Sequence, residues 1–272
     1  MAGIGLRLDE VPGIGPAALC MGVFDGVHRG HRALIDATRR AALERGVRTV
    51  ALVFDPHPDE VIHPGTTMPR LATPGRNLRM LQEAGVDHAL PIRFDAELRA
   101  LTPEQFLAAM APAIALDALV MTPESAFGRG RAGTPDAMRE YGRATGFDLV
   151  LAQEIVRDGD EPVSSGRIRS AVQEGRIEDA ARLLGHPPTL EVRLVMTRAA
   201  GDGRLRPLAI DYPAVLPPPG SYPVEVVGDG MIWLDSLTVS ADGELHLAPG
   251  AAAGEVPGEA LISITGRGEE FG

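Results

Sequence analysis

Short apolar runs alternate with longer helix-like segments over the first two-thirds of this 272-residue chain, and this alternation limits its possible folds most strongly. Each run has the length and the Val, Leu, Ile and Ala content of a buried strand. Strands that alternate with helices are typical of a parallel sheet covered on both faces. We therefore predict strands over residues 18–23, 49–54, 89–92, 118–121 and 148–152, and helices over 28–45, 78–84, 103–110, 136–145 and 164–184.

The composition changes after the Gly-His-Pro-Pro segment at residues 185–188, where Gly and Pro are signals that end a helix. Closely spaced β-type runs separated by Gly and Pro turns follow, and they predict a small antiparallel β-barrel or sandwich. These runs cover residues 190–196, 222–227, 231–239, 244–247 and 260–265. We therefore expect an α/β, Rossmann-like parallel-sheet domain over residues 1–186 and a β-barrel domain over residues 187–272.

The charge balance limits the classes of ligand. With 37 acidic and 26 basic residues, the chain has a formal net charge of −11, which argues against a nucleic-acid partner. The sequence contains no lysine, so arginine or histidine must supply any charged phosphate contact. The single cysteine excludes an internal disulfide and an all-cysteine zinc site. No basic leader and no apolar run of about 20 residues is present, so we expect a cytoplasmic protein without a membrane partner. The oligomeric state stays open.

The first candidate site is the segment G-V-F-D-G-V-H-R-G-H at residues 22–31, where the first strand meets the first helix. His28 and His31 are three positions apart, so they share a helix face. A helix N-terminus favours phosphate, and two imidazoles there could hydrogen-bond phosphate oxygens. Two alternatives stay open. In one, one histidine caps the helix and the other is solvated; in the other, both bind zinc, although the sequence offers no third ligand nearby.

Three further segments follow the predicted strands or open a helix. F-D-P-H-P at residues 54–58 is a turn stiffened by two prolines. F-G-R-G-R-A-G at 127–133 carries two guanidinium groups, and its distance from the preceding strand argues against a dinucleotide fingerprint. S-S-G-R-I-R at 164–169 begins with a typical helix cap, but its two arginines point in different directions, and at least one of them is predicted to face a phosphate. Ligands of parallel sheets bind beyond the carboxyl ends of strands, which predicts chemistry after Met21, Phe54 and Met121.

Together the four segments resemble the FMN adenylyltransferase domain of bacterial bifunctional riboflavin kinase/FAD synthetases. The matching motifs are G-x-F-D-G-V-H-x-G-H, F-x-P-H-P, F-G-x-G-R-x-G and S-S-x-R-I-R, in this order along the chain. The resemblance implies a nucleotidyltransferase domain that transfers AMP from ATP to FMN with Mg²⁺, giving FAD and pyrophosphate. Two alternatives are an adenylyltransferase with a different small-molecule acceptor and a non-catalytic flavin- or nucleotide-binding homologue.

The resemblance also implies the role of each matching residue, and it assigns no side chain as a metal ligand. The catalytic residues would be His28, His31 and Arg169. The nucleotide would be bound by Gly22, Phe24, Asp25, Gly26, Gly30, Ser164, Ser165 and Arg167. The flavin would be bordered by Phe54, Pro56, His57, Pro58, Phe127, Arg129 and Arg131.

The chain departs from the family pattern at several positions. Val23 stands where the family has Asn, Asn77 where it has Lys, and residues 122–125 replace a Gly-x-Asp-Phe segment. In the C-terminal region, the Gly-Phe-Pro-Thr-Ala-Asn signature of the riboflavin kinase barrel is replaced by residues 209–213. We therefore expect a degenerate barrel without kinase activity, retained for packing or flavin docking.

Overall fold

The structure, a computed structural model, describes residues 4–152, 156–194, 206–228, 230–248 and 258–268. The chain divides into two compact units. The first comprises Met1–Met68 and Pro74–Pro162, and the second comprises Pro69–Thr73 and Val163–Gly272. Within the described ranges, no helix combines the length and the hydropathy that crossing a bilayer requires.

A five-stranded parallel sheet organises the first unit and confirms the predicted α/β fold. Its strands are β1 (Gly15–Gly22), β2 (Arg48–Asp55), β3 (His88–Arg93), β4 (Ile114–Met121) and β5 (Asp148–Leu151). In space they follow the order β3-β2-β1-β4-β5. Because the connections leave β1 in opposite directions, a crevice is expected between the carboxyl ends of β1 and β4. A two-stranded ribbon of β6 (Arg157–Asp158) and β7 (Glu161–Pro162) also belongs to this unit.

Apolar cores lie on both faces of the sheet, because successive side chains of a buried strand point to opposite faces. Leu19 belongs to one core, with Leu52 and Phe106, whereas its neighbour Cys20 belongs to the other, with Ile35. The helices that contribute to these layers and their connections are α1 (Arg29–Arg45), α2 (Pro58–Ile62), α3 (Pro74–Glu83), α4 (Ala96–Ala100), α5 (Pro103–Met110) and α6 (Pro135–Thr145).

The second unit contains two helices and a closed antiparallel β-barrel, which confirms the predicted barrel. The helices are α7 (Ser165–Gln173) and α8 (Ile177–Leu184), and the strands are β8 (Thr189–Leu194), β9 (Arg206–Ala209), β10 (Gly220–Gly228), β11 (Met231–Val239), β12 (Leu245–Leu247) and β13 (Glu259–Ile264). Around the barrel the order is β10-β11-β12-β9-β8-β13. Strand β9 was not predicted, and the end of the predicted run 190–196 lies outside the described residues.

The prediction of one continuous helix over residues 164–184 is wrong. The helix breaks at Gly175, whose φ of 73° lies in the left-handed region that glycine adopts without steric cost. The compact units also divide at residue 162, before α7, whereas the composition changes at residue 186. Ile177 of α8 packs into the apolar core of the barrel, so the compact unit begins earlier than the compositional change.

Candidate active site

The turn between β1 and α1 has an unusual backbone. Phe24, Gly26 and Val27 have φ values of 53°, 72° and 37°. Glycine adopts such angles freely, but a positive φ is rare for bulky side chains and for β-branched residues above all. The side chains of Phe24 and Val27 are fully buried in the same apolar core. Their burial stabilises the turn and so sets the position of the helix that begins after it.

His28 is the N-cap of α1. Its Nδ1 accepts a hydrogen bond from the backbone N–H of His31 at 3.3 Å, so the proton of the neutral ring lies on Nε2. The two imidazole rings stack with centroids 3.6 Å apart and planes 16° apart. His28 is only 5% exposed, so the cap is shielded from water. The structure thus brings together the two histidines that the sequence singled out.

His31 has a different environment from a solvated histidine. Burial, and secondarily the electrostatic influence of the neighbouring His28, lower its pKa well below the usual value of 6.5. Its Nδ1 is buried and has no hydrogen-bond partner among the described residues. His31 is therefore neutral at pH 7 and can donate a hydrogen bond without carrying a full charge. The prediction that one histidine caps the helix holds for His28, but solvation of the other does not.

An apolar cleft of about 700 Å³ opens at the carboxyl ends of β1, β2 and β4, next to His31. This volume is typical of a small-molecule site. Five of the seven phenylalanines of the chain border it: Phe54, Phe94 and Phe127 are partly exposed, whereas Phe24 and Phe106 are buried. Such a concentration of planar apolar surface suits a flat aromatic ligand.

Four of the five phenylalanines of the cleft form a connected series. Phe54 contacts Phe94 edge-to-face at 5.6 Å between centroids and Phe106 at 6.4 Å. Phe106 in turn contacts Phe127 edge-to-face at 5.7 Å. Tilted rings of this kind stabilise one another, so the wall of the cleft is preorganised before a ligand binds.

Polar groups stand at the rim of the same cleft. They belong to Thr122, Ser125, Arg99, Arg129 and Arg131. The loop that carries Arg129 and Arg131 is held against α4 and α5, because the N–H of Arg129 donates a hydrogen bond to the carbonyl oxygen of Leu101 at 2.8 Å. At Gly128, with φ of 72°, a Cβ would lie 2.8 Å from the ring of Pro103, so only glycine fits there.

Only some residues of the proline turn after β2 line the cleft. Phe54 and Pro58 line the cleft. His57 instead caps α2, where its Nδ1 accepts a hydrogen bond from the N–H of Asp59 at 3.1 Å. The peptide bond between Asp55 and Pro56 is cis. Gly22 and Phe24, which were predicted to bind the nucleotide, also line the cleft. The residues of this unit that were predicted as site residues but do not line the cleft are Asp25, Gly26, His28, Gly30, Pro56 and His57.

The predicted phosphate-binding segment lies in the second unit. Ser164 is the N-cap of α7, and its Oγ accepts a hydrogen bond from the N–H of Arg167 at 3.4 Å. Ser165, Arg167 and Arg169 are half-buried on the first turns of this helix, with the fully buried Ile168 between the two arginines.

Several residues of the cleft were absent from the sequence-based prediction. Phe94 follows β3 directly, so the rule that ligands bind beyond strand ends could have identified it. Phe106, Leu98 and Arg99 lie on α4 and α5, and their sequence pattern does not distinguish a cleft wall from an ordinary helix face. Only their place in the fold reveals them.

Known proteins resemble the chain in sequence and in fold. The FAD synthetase family model matches residues 14–167. The bifunctional riboflavin kinase/FMN adenylyltransferase of Escherichia coli strain K12 is 33% identical over 228 residues, which cover 82% of this chain and 72% of that protein. The FAD synthetase of Listeria monocytogenes is 29% identical over 208 residues, covering 76% of this chain and 80% of that protein.

Similarity of fold extends further than similarity of sequence. A crystal structure of a macrolide-efflux protein from Streptococcus pneumoniae matches with a TM-score of 0.87 over 98% of this chain and 90% of that one. Its sequence identity of 21% limits this likeness to the fold. The family match over more than half of the chain and the 33% identity to the E. coli relative, by contrast, show the family. This chain belongs to the FAD synthetase family of nucleotidyltransferases.

Proposed function

We propose that this chain is an FMN adenylyltransferase that transfers AMP from ATP to FMN and releases FAD and pyrophosphate. The observation that carries the proposal is the stacked pair of His28 and His31 at the N-terminus of α1, beside a cleft lined by phenylalanines. FMN combines a flat aromatic ring system, which a cleft lined by phenylalanines suits, with a phosphate, which the imidazoles beside the cleft suit. The names of the relatives support the same acceptor.

The reaction needs no covalent intermediate on the protein. A phosphate oxygen of FMN attacks the α-phosphorus of ATP, a new P–O bond forms, and the bond to the β-phosphate breaks as pyrophosphate leaves with the electron pair. His31, neutral and beside the cleft, donates a hydrogen bond to an oxygen of the α-phosphate, on which negative charge builds up in the transition state. His28 holds the ring of His31 by stacking and caps the helix whose N-terminus favours the same charge.

Mg²⁺ would enter with ATP. In the described part of the chain, no three His, Cys, Asp or Glu side chains are grouped so as to hold a metal ion. Mg²⁺ commonly binds through substrate phosphates and water with few protein ligands, so the residues present are compatible with a magnesium–nucleotide complex. When bound, the ion neutralises phosphate charge and stabilises the leaving pyrophosphate.

The remaining residue assignments rest on the family motifs. We assign Phe54, Pro56, His57, Pro58, Phe127, Arg129 and Arg131 to the flavin. We assign Gly22, Phe24, Asp25, Gly26, Gly30, Ser164, Ser165 and Arg167 to the nucleotide, and Arg169 to catalysis. We assign residues 1–186 to the nucleotidyltransferase domain and 187–272 to the barrel domain.

We further propose that the barrel has no riboflavin kinase activity. A cavity of about 430 Å³ in the second unit is lined by Ile210, Tyr212 and Pro213, which stand where the kinase signature would bind Mg-ATP, and by Glu244. At the sequence positions of that signature the chain has bulky side chains, and the Thr and Asn of the signature are missing. Incubation with riboflavin and Mg-ATP is expected to give no FMN, and FMN formation would contradict this part of the proposal.

The adenylyl transfer is tested with Mg-ATP and FMN, separation of the flavins and measurement of pyrophosphate. We expect FAD and pyrophosphate in equal amounts. His31→Ala is expected to fold and to lose product formation, while His63→Ala, an exposed histidine outside the cleft, keeps it. Pyrophosphate release with only another acceptor would show a different substrate, and binding of FMN without turnover would show a non-catalytic homologue.

A further inference from the structure

The turn that carries the histidine pair is held by a side chain from a distant part of the sequence. The Oδ1 of Asn77 accepts a hydrogen bond from the backbone N–H of Gly26 at 2.9 Å. Asn77 lies on α3, 51 positions along the chain, and is only 3% exposed. A buried amide that accepts from a buried backbone N–H is costly to disturb, because the N–H would lose its partner.

The bonded peptide lies at the centre of the unusual turn. Gly26 has a φ of 72° and stands between Phe24 and Val27, both with positive φ. Backbone in these regions persists only where the surroundings over-determine it. Apolar burial holds the two large side chains, but it is non-directional and does not orient the peptide group between them. The hydrogen bond from Gly26 to Asn77 supplies that direction.

The orientation of this turn determines where the imidazole rings lie. Val27 leads into His28, whose extended backbone (φ −65°, ψ 173°) allows its side chain to fold back as the cap of α1. The hydrogen bond of the cap and the stacking on His31 both depend on the position of the His28 backbone at the start of α1. Displacement of a reacting group by about 1 Å is enough to slow an enzyme by about a hundredfold.

We infer that Asn77 is a positioning residue, which orients the imidazole pair through its hydrogen bond to the turn at Gly26. This inference rests on the proposed function for its catalytic consequence, but the geometry it describes can be measured separately. A lysine or an apolar side chain at this position would have no acceptor atom for the N–H of Gly26. The hydrogen bond described here is therefore specific to an asparagine or a side chain like it.

Three substitutions separate positioning from packing. Asn77→Leu keeps the size and removes the acceptor, whereas Asn77→Asp keeps an acceptor oxygen in the same place. Gln82→Met makes the matched change from amide to apolar on an exposed position of the same helix. We expect kcat to fall about tenfold or more in Asn77→Leu with KM for ATP and FMN changed less than threefold. We expect Asn77→Asp to recover most of kcat and Gln82→Met to match the parent.

The imidazole resonances give a readout that does not depend on activity. Rings stacked at 3.6 Å shift each other's ¹H–¹³C signals by ring current, so we expect Asn77→Leu to move the signals of His28 and His31, and Gln82→Met to leave them in place. Unchanged signals in Asn77→Leu would overturn the inference, whether or not the chain makes FAD. So would an equal loss of kcat in Asn77→Leu and Asn77→Asp. If the leucine variant does not fold, Asn77→Ala takes its place, with the same shifts expected and the same result overturning the inference.

Discussion

Replacing His31 by phenylalanine is expected to stabilise the protein while it removes the activity. The Nδ1 of His31 is buried without a hydrogen-bond partner among the described residues, which costs about 1–3 kcal/mol of folding free energy. Phenylalanine removes this atom and keeps an aromatic ring next to His28, so the stacking energy of about 0.5–1.5 kcal/mol is largely retained. The expected net effect is a stabilisation of about 1 kcal/mol, or about 2–4 °C in Tm for a domain of this size.

The same substitution removes the hydrogen-bond donor beside the cleft. Loss of one donor to developing charge typically lowers kcat by about 10²–10³, which corresponds to about 2.7–4 kcal/mol of transition-state stabilisation. The measurements are calorimetric Tm and the rate of FAD formation from Mg-ATP and FMN, each beside the control His63→Phe. A variant that melts well below the parent would refute the account of the buried nitrogen. A variant that keeps kcat within threefold would refute the role of His31 in the reaction.

Three further outcomes are expected. Because the pKa of His31 is lowered in the folded protein, the unfolded chain binds more protons than the folded one below about pH 6.5. The free energy of unfolding therefore falls as the pH drops through this region. Urea titrations at pH 7 and pH 5 should show this fall in the parent and a smaller one in His31→Phe. Phe54→Ala removes one aromatic wall of the cleft and is expected to raise the KM for FMN by about 2–10-fold, measured by initial rates, with the KM for ATP unchanged as the internal control. Arg45→Ala breaks ion pairs of 3.1 Å to Asp117 and 2.8 Å to Asp148, which join α1 to two strands; a loss of about 1 kcal/mol in urea unfolding with unchanged kcat is expected, and a loss of activity would contradict a purely structural role.

The histidine pair illustrates how far sequence reasoning reaches into the site. The spacing of His28 and His31 predicts one helix face, and both do lie at the start of α1. The neutral state of His31 could not be predicted in the same way, because it depends on burial by residues from other elements. The acceptor for the N–H of Gly26 likewise comes from α3, and no local pattern connects that helix with the turn.

The division between sequence and tertiary structure follows the range of the interactions involved. Apolar runs, helix stop signals and four ordered motifs are local features, and they were sufficient for the parallel sheet, the barrel and the family. The strand order β3-β2-β1-β4-β5 is a long-range property, and it alone brings the phenylalanines after three different strands into one cleft. Side chains such as Phe94 and Phe106 acquire a role only there, because burial and distance between segments far apart in sequence have no local signature.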